Sequence, residues 1–277
     1  MKVGLLGCVN NVSQHIDKIK VWSKSFGEVS KGSINLVLVN PQPHEISLLK
    51  DMGITTFPYY TKGTETINNM RLQFQWQTLD ELDLDYVLVT DVFDVMFQDN
   101  PFIKIWGNDI IVGTEGITHN EEPWNMSVLQ QSYPDKVEKL RHELIVCSGV
   151  IGGRKDKIIK LLKDMDKLTM GKGGHDIRDQ AALNIILYQP LSFKSWENKS
   201  YNIKVLSPKD GWVLHCAVGG PTQFYEAWGF KNKMKERFGE ARNEGGIIVN
   251  GDWQIFDIVH QFNRIEEWNK ELTTRYI

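Results

Sequence analysis

Over the first hundred residues, short runs of aliphatic and β-branched side chains alternate with stretches in which apolar positions recur every three or four residues. That alternation is the pattern of a parallel sheet covered by crossover helices. "KVGLLGCV" reads as a buried strand, and after it Ile16, Ile19, Trp22 and Phe26 fall at helical spacing, with Ser13 as the expected N-cap and Gly27 as the expected stop. "INLVLVN", ended by Pro41, is a second strand, "HEISLLKDMG" a short helix and "ITTFPYY" an irregular third strand. A helix over 65–82 is predicted to turn Ile67, Met70 and Phe74 inward and to deliver the chain to the strand "YVLVT".

Two further apolar runs, "DIIVGTEG" and "ELIVCSGVIGG", flank a polar loop containing "HNEEPWNMS". A helix over 155–169 carries Ile158, Leu161, Leu162, Met165 and Leu168 on one face, and "RDQAALNIIL" opens another. "GWVLHCAVGG" and "IIVNGDWQIFDIVHQF" read as strands, and Asn250-Gly251 is a hairpin signal. The charged segment "KNKMKERFGEARNEGG" reads as a solvated helix or loop. With no internal repeat and no low-complexity tract, one α/β domain over residues 1–277 is expected.

Composition narrows the partners. A net charge of −3 argues against nucleic acid and anionic membranes, which call for a concentrated basic surface. Small molecules or neutral polymers are the expected ligands. The three cysteines, Cys8, Cys147 and Cys216, are odd in number and far apart, so neither a disulfide framework nor a C-x-x-C metal site is indicated. A reducing, cytoplasmic location is expected, since no apolar run is long enough for a signal peptide or a membrane span. The sequons at Asn11, Asn125 and Asn198 are then chance matches.

One stretch breaks the pattern. In "YVLVTDVFDVMFQDNPF" two carboxylates, Asp91 and Asp94, interrupt what otherwise reads as one buried strand. Residues three apart in an extended strand point to opposite faces. If the strand stops at Thr90, a turn over Val92 and Phe93 lets both carboxylates converge at the carboxyl edge of a parallel sheet, where open α/β folds bind ligands. Two close carboxylates repel unless a cation neutralises them, and Mg²⁺ or Mn²⁺ suits oxygen ligands. The plainer alternative is a capping Asp91 and a solvent-facing Asp94.

"LVTDVFDVMFQDNPF" resembles the Asp-containing segment of metal-dependent nucleotide-sugar glycosyltransferases of the GT-A fold, as a T-D-x-x-D-V-x-F-Q-x-x-P-F variant of D-x-D. Similar segments follow in the family's order. "NNMRLQFQWQTL" resembles the helix whose Arg reaches the donor nucleotide, "CSGVIGG" the N-S-G-x-x-x-G strand beside the donor sugar, "RDQAALN" the acidic D-Q-x-x-L-N helix start, and "VHQFNR" a late H-Q-Y-D-R-type motif. Three positions depart from the family: Cys147 stands for an Asn, Arg178 for a second acidic residue, and Asn263 for an Asp.

The resemblance implies a GT-A, Rossmann-like fold with a mainly parallel central sheet flanked by helices, residues 1–100 forming the nucleotide-sugar half and 101–277 the acceptor half. It implies a nucleoside diphosphate sugar donor, most often a UDP-sugar, a glycan or other hydroxyl acceptor, and Mn²⁺ or Mg²⁺ as cofactor. Asp91 and Asp94 would hold the metal. The third ligand would be His260 in "VHQFNR" or His215 in "HCAVGGPTQFYEAW", which resembles the H-x-x-G-x-x-K-P-W signature of retaining enzymes; an imidazole ligand favours Mn²⁺. Arg71 would meet donor phosphate or base, backbone groups of Cys8, Val9 and Asn10 the base, and Ser148, Gly149 and Gln180 the donor sugar. Asp179 would act as general base or as an orienting carboxylate, and Trp124 as a stacking platform for the acceptor. Two other readings remain: a phosphohydrolase with Asp91 as nucleophile and Asp94 as acid, and a nucleotide-sugar binding module without turnover.

Overall fold

In the computed structural model, which describes residues 1–62, 66–188, 202–216 and 236–277, the aliphatic runs of the first half become four parallel strands. These are β1 (Val3–Val9), β2 (Ser33–Val39), β3 (Thr55–Tyr59) and β4 (Tyr86–Thr90), joined by α1 (Ile16–Val29), α2 (Pro43–Asp51) and α3 (Ile67–Glu81). β1 lies between β2 and β4, with Leu5 level with Ile34 and Leu88. Alternation along the strands divides the core into two layers. Leu5, Leu36, Leu38 and Leu88 pack with Ile19, Trp22 and Phe26 of α1, whereas Leu6, Val37, Val87 and Val89 face Leu72 and Leu79 of α3.

A short strand, β5 (Val95–Phe97), leaves this sheet, and a single helical turn, α4 (Phe102–Ile105), leads to β6 (Ile110–Thr118). The chain then reverses through α5 (Pro123–Ser132) and α6 (Val137–Leu140) into β7 (Leu144–Arg154). Because of that reversal, β7 inserts antiparallel to both β4 and β6. α7 (Lys155–Thr169), α8 (Asp179–Tyr188) and β8 (Ile203–Leu206) follow, and β8 pairs parallel with β6. The order β3-β2-β1-β4-β7-β6-β8 is a mixed seven-stranded sheet flanked by helices. Six of its strands run in one direction and β7 alone runs against them, so the sheet is mainly parallel as expected, and it is continuous across residues 1–100 and 101–277.

β9 (Val213–His215) and β12 (Ile258–His260) join β5 in a second, three-stranded sheet ordered β5-β12-β9. Between them lie the small pair β10 (Arg242–Asn243) and β11 (Ile248–Val249), and a helix over Glu266–Thr274 closes the described chain. Asn250-Gly251 does open a tight turn, but the expected hairpin shrinks to one bridge, Val249 with Ile255. Trp253 closes that turn with φ 63°.

Several local readings change. Ser13 does not cap α1: its N–H and hydroxyl both donate to Glu45 Oε1 at 2.8 Å. Helix α1 also passes through Gly27 to Val29; a Cβ at Gly27 would meet nothing, so the residue sits on an open face rather than at a stop. In α3 the buried face is Asn69, Leu72, Gln75, Thr78 and Leu79, not Ile67, Met70 and Phe74. Its polar members have internal partners, Asn69 with the Asp176 carbonyl at 2.8 Å and Thr78 with the Tyr59 hydroxyl at 3.1 Å. The "EEPWN" segment is helical, with the Glu122 carboxylate accepting from the N–H groups of Trp124 and Asn125 and with Pro123 in the first turn.

Candidate functional site

The interruption at Asp91 is a sharp change of sheet. β4 stops at Thr90, whose hydroxyl accepts from Trp22 Nε1 at 2.8 Å, and the Asp91 N–H donates to the Gly149 carbonyl on β7 at 2.8 Å. Val92 turns back into the core beneath β1, so close that a Cβ on Gly7 would lie 2.3 Å from its Cγ2. Phe93 packs against the His15 ring at 4.3 Å between centroids. After Asp94 the chain is buried again as β5, and the Asp94 carbonyl accepts from the Gln261 N–H at 2.6 Å. Gln261 takes φ 62°, a left-handed conformation that costs a side-chain-bearing residue free energy and that clusters at functional sites.

The second sheet brings a histidine to the two carboxylates. His260 stands opposite Val95 on one side and His215 on the other. Its Nε2 is 3.3 Å from Asp91 Oδ2 and 3.7 Å from Asp94 Oδ1, and one donor atom from each of the three residues falls within 4.8 Å of the others. These are ion-pair distances rather than geometric hydrogen bonds: His260 Nε2 is buried with no hydrogen-bond partner among the described residues. Gly149 makes room for the ring, since a Cβ there would stand 2.4 Å from His260 Cε1 and 2.8 Å from Asp91 Oδ2. Behind His260, His215 Nδ1 meets His260 Nδ1 at 2.9 Å and Cys147 Sγ lies 3.7 Å from the same nitrogen. His215 is thus outside the group formed with the carboxylates.

Arg71 joins Asp91 to Asp179. Its Nη1 pairs with Asp91 Oδ1, and its Nη2 with Asp179 Oδ2 at 2.5 Å. Asp179, at the start of α8, is 3% exposed and also accepts the Gln180 N–H at 2.9 Å. Arg178 faces away from the site and ties down the preceding loop, donating to the Thr169 carbonyl at 3.1 and 3.2 Å and to the His175 carbonyl at 2.7 Å. Gln180 Nε2 donates to Glu115 Oε1 at 3.1 Å and to Asn125 Oδ1 at 2.8 Å, and its side-chain Oε1 accepts from the Ser148 N–H at 3.3 Å. Asn184 pairs with both backbone groups of Val146 at 2.9 and 2.8 Å, where the β6–β7 register breaks.

The charges are unbalanced. Asp91 and Asp179 share one guanidinium, that of Arg71, and Asp94 stands beside them without one bonded to it among the described residues. Burial would raise Asp91, but Arg71 and His260 outweigh it and hold the carboxyl well below the usual range. Asp94 lies 3.7 Å from His260 Nε2 but is bonded to no guanidinium among the described residues, and burial, assisted by Asp91, raises it against the pull of His260 and Arg264. Burial would lower His260, but Asp94 and Asp91 raise it, whereas His215 is held well below its ordinary range by burial and by His260. Two carboxylates, an orphaned imidazole nitrogen and a surplus of negative charge fit a divalent cation that takes oxygen and nitrogen ligands.

Of the remaining predicted residues, Cys8, Val9 and Asn10 lie at the carboxyl end of β1 and just beyond it. The Cys8 thiol is pushed up to about 12 by burial, with Arg71 opposing and Asp91 adding, which sets this strand end beside the charged cluster. Ser148 and Gly149 flank the carboxylate turn from β7. Trp124 is 41% exposed and stands edge-on to His175 at 5.5 Å. Asn263 follows His260 in a 3₁₀ turn, Phe262–Arg264, with its Oδ1 buried and without a hydrogen-bond partner among the described residues. The part of "HCAVGGPTQFYEAW" after Cys216, and Asn198, lie outside the described residues. Asn125 is buried and closed to a glycan.

Sequence reading missed Glu115, a buried carboxyl pushed up to about 7 by burial and by Glu122. Its signal was there: an acid within the aliphatic run "DIIVGTEG" is the same kind of interruption as Asp91. A groove of about 790 Å³ opens at the amino ends of β1 and β2, lined by Lys2, Lys31 and Trp106 among others, and shares no residue with this site.

No protein-family model matches the sequence, and no curated protein matches it. The fold is an α/β one, consistent with a Rossmann-like architecture, with a mixed seven-stranded sheet flanked by helices and a carboxylate–histidine cluster at the carboxyl edge of its parallel strands. Among the described residues no helix is long and apolar enough to cross a membrane.

Proposed function

We propose that this chain is a divalent-metal-dependent glycosyltransferase that moves a monosaccharide from a nucleoside diphosphate sugar, with a UDP-sugar the favoured donor, to a glycan or other hydroxyl acceptor. The observation that carries the reading is the convergence of Asp91, Asp94 and His260 Nε2, a nitrogen with no hydrogen-bond partner among the described residues, at the carboxyl edge of the parallel strands. The ordered resemblance of five sequence segments to GT-A enzymes adds to it.

Asp91, Asp94 and His260 would hold Mn²⁺ or Mg²⁺. A bound ion there supplies neutralisation of the diphosphate as it departs from the sugar. Arg71, kept in place by Asp91 and Asp179, offers its remaining guanidinium protons to the same diphosphate. The end of β1 at Cys8, Val9 and Asn10 offers backbone groups to the base, and Gly149 keeps the floor beneath the sugar clear of side chain. Asp179, closed off by its pairing with Arg71, serves in this reading to position that arginine rather than to take a proton. Trp124 remains the exposed aromatic for an acceptor.

The closure of Asp179 also favours a second reading, a nucleotide-sugar binding module without turnover. Thermal unfolding with UDP and UDP-sugars, with and without Mn²⁺, on the wild type and on Asp94→Asn, tests the binding, and donor hydrolysis under the same conditions tests turnover. A Mn²⁺-dependent shift lost in Asp94→Asn, together with hydrolysis, supports the enzyme. The shift without hydrolysis of any common donor supports the module. Equal stabilisation of both proteins by UDP overturns the metal bridge, and phosphate release from simple esters points instead to a phosphohydrolase.

A further inference from the structure

His215 and His260 meet nitrogen to nitrogen. Their Nδ1 atoms are 2.9 Å apart, the rings stand at 85°, and both residues are almost wholly buried. Two imidazole nitrogens at that distance share one proton, so one donates and the other accepts. The role of His260 sets the direction. Its Nε2 faces Asp91 and Asp94, and to serve a cation it must present a lone pair, which places the ring proton of neutral His260 on Nδ1. His215 then accepts at Nδ1 and carries its own proton on Nε2, the nitrogen that lies 2.9 Å from where a Cβ on Gly113 would stand.

We propose that His215 is a positioning residue for the cation site: its Nδ1 accepts the His260 Nδ1 proton, and so fixes the tautomer and ring orientation that aim His260 Nε2 at the two carboxylates. The inference rests on the reading of this site as a cation site and assigns the two histidines different tasks. The backbone supports the division. β9 and β12 run parallel with His215 and His260 in register, so the second histidine stands beside the first and away from the carboxylates. Two glycines clear the space, Gly113 for the His215 ring and Gly149 for that of His260. Among the described residues the other group at His260 Nδ1 is Cys147 Sγ at 3.7 Å, a weak acceptor.

The test is calorimetric titration of the full chain with Mn²⁺, on the wild type, His215→Asn and His215→Leu. In parallel, long-range ¹⁵N imidazole spectra are recorded with Mg²⁺, or with Zn²⁺ as a second diamagnetic probe. Asn places an amide oxygen near the former Nδ1 and keeps an acceptor; Leu keeps bulk and removes it. The expected result is a loss of roughly 10- to 100-fold in Mn²⁺ affinity for Leu and substantial rescue by Asn. The spectra should show His260 protonated at Nδ1 and His215 at Nε2. A folded Leu variant that binds Mn²⁺ like the wild type overturns the proposal, as do spectra with the protons reversed. If both variants unfold, the wild-type spectra decide. A wild type that binds Mn²⁺ but no nucleotide sugar overturns the enzymatic reading and leaves this one intact, whereas a wild type that binds no divalent cation overturns this one.

Discussion

Gly149 and His260 touch across the two sheets, the glycine on β7 presenting bare backbone to the imidazole that points at Asp91. The contact leaves no room for a methyl group. Gly149→Ala is expected to push the ring away from the carboxylates and to weaken Mn²⁺ binding at least about 10-fold, as other losses of ligand orientation do. Overpacking should cost about 1–3 kcal/mol of stability. Mn²⁺ titration and urea unfolding measure the two effects separately, and unchanged affinity would place the cation elsewhere.

Asp91 and Asp94 should respond differently to loss of charge. Asp91 is a partner of Arg71, so Asp91→Asn leaves the guanidinium with Asp179 alone and is expected to lower stability without metal by about 1–3 kcal/mol. Asp94 has a raised folded pKa, which means that its charge opposes folding at neutral pH. Asp94→Asn should therefore be neutral or stabilising without metal, while both variants lose metal binding. Urea unfolding in EDTA compares them, and equal destabilisation of the two would contradict the electrostatics described.

A third expectation lies away from the site. Asp257 is buried and accepts from Lys104 at 2.7 Å, yet its Oδ2 has no hydrogen-bond partner among the described residues. Burial pushes its carboxyl up to about 6 against the pull of Lys104. A raised carboxyl binds its proton more readily in the folded chain, so its contribution to stability is greatest below the unfolded value near 4 and is lost as the pH rises through about 6. Relative to wild type, Asp257→Asn should gain on the order of 2 kcal/mol between pH 4 and pH 7. Unfolding at a series of pH values checks it, and parallel pH curves would refute it.

Much of this was legible in the sequence because single positions were decisive. Asp91 and Asp94 could not share one strand face, so any joint role for them required a break after Thr90, which is where β4 ends. Helix α7 was legible from the periodicity of Ile158, Leu161, Leu162 and Met165. The inward face of α3 was not, because Asn69, Gln75 and Thr78 are buried, and partners such as the Asp176 carbonyl and the Tyr59 hydroxyl lie far along the chain. The direction of β7 was equally hidden: an aliphatic run looks the same read either way, and only the reversal through α5 and α6 sets it antiparallel. Between His215 and His260 the sequence favoured His260 only through the closer match of "VHQFNR", since the physical difference lies in which one pairs with β5.

The pairing of β5 with β12 also bears on how the molecule comes together. A chain growing from its amino end completes both carboxylates long before His260 exists, so the cluster is finished only when a distant strand docks. Closing so long a loop is slow and entropically costly. Any cation gripped by all three residues would act as a clasp on that late step, strengthening the small sheet against opening more than the large one. Ligand capture and final closure of the fold would then be a single event.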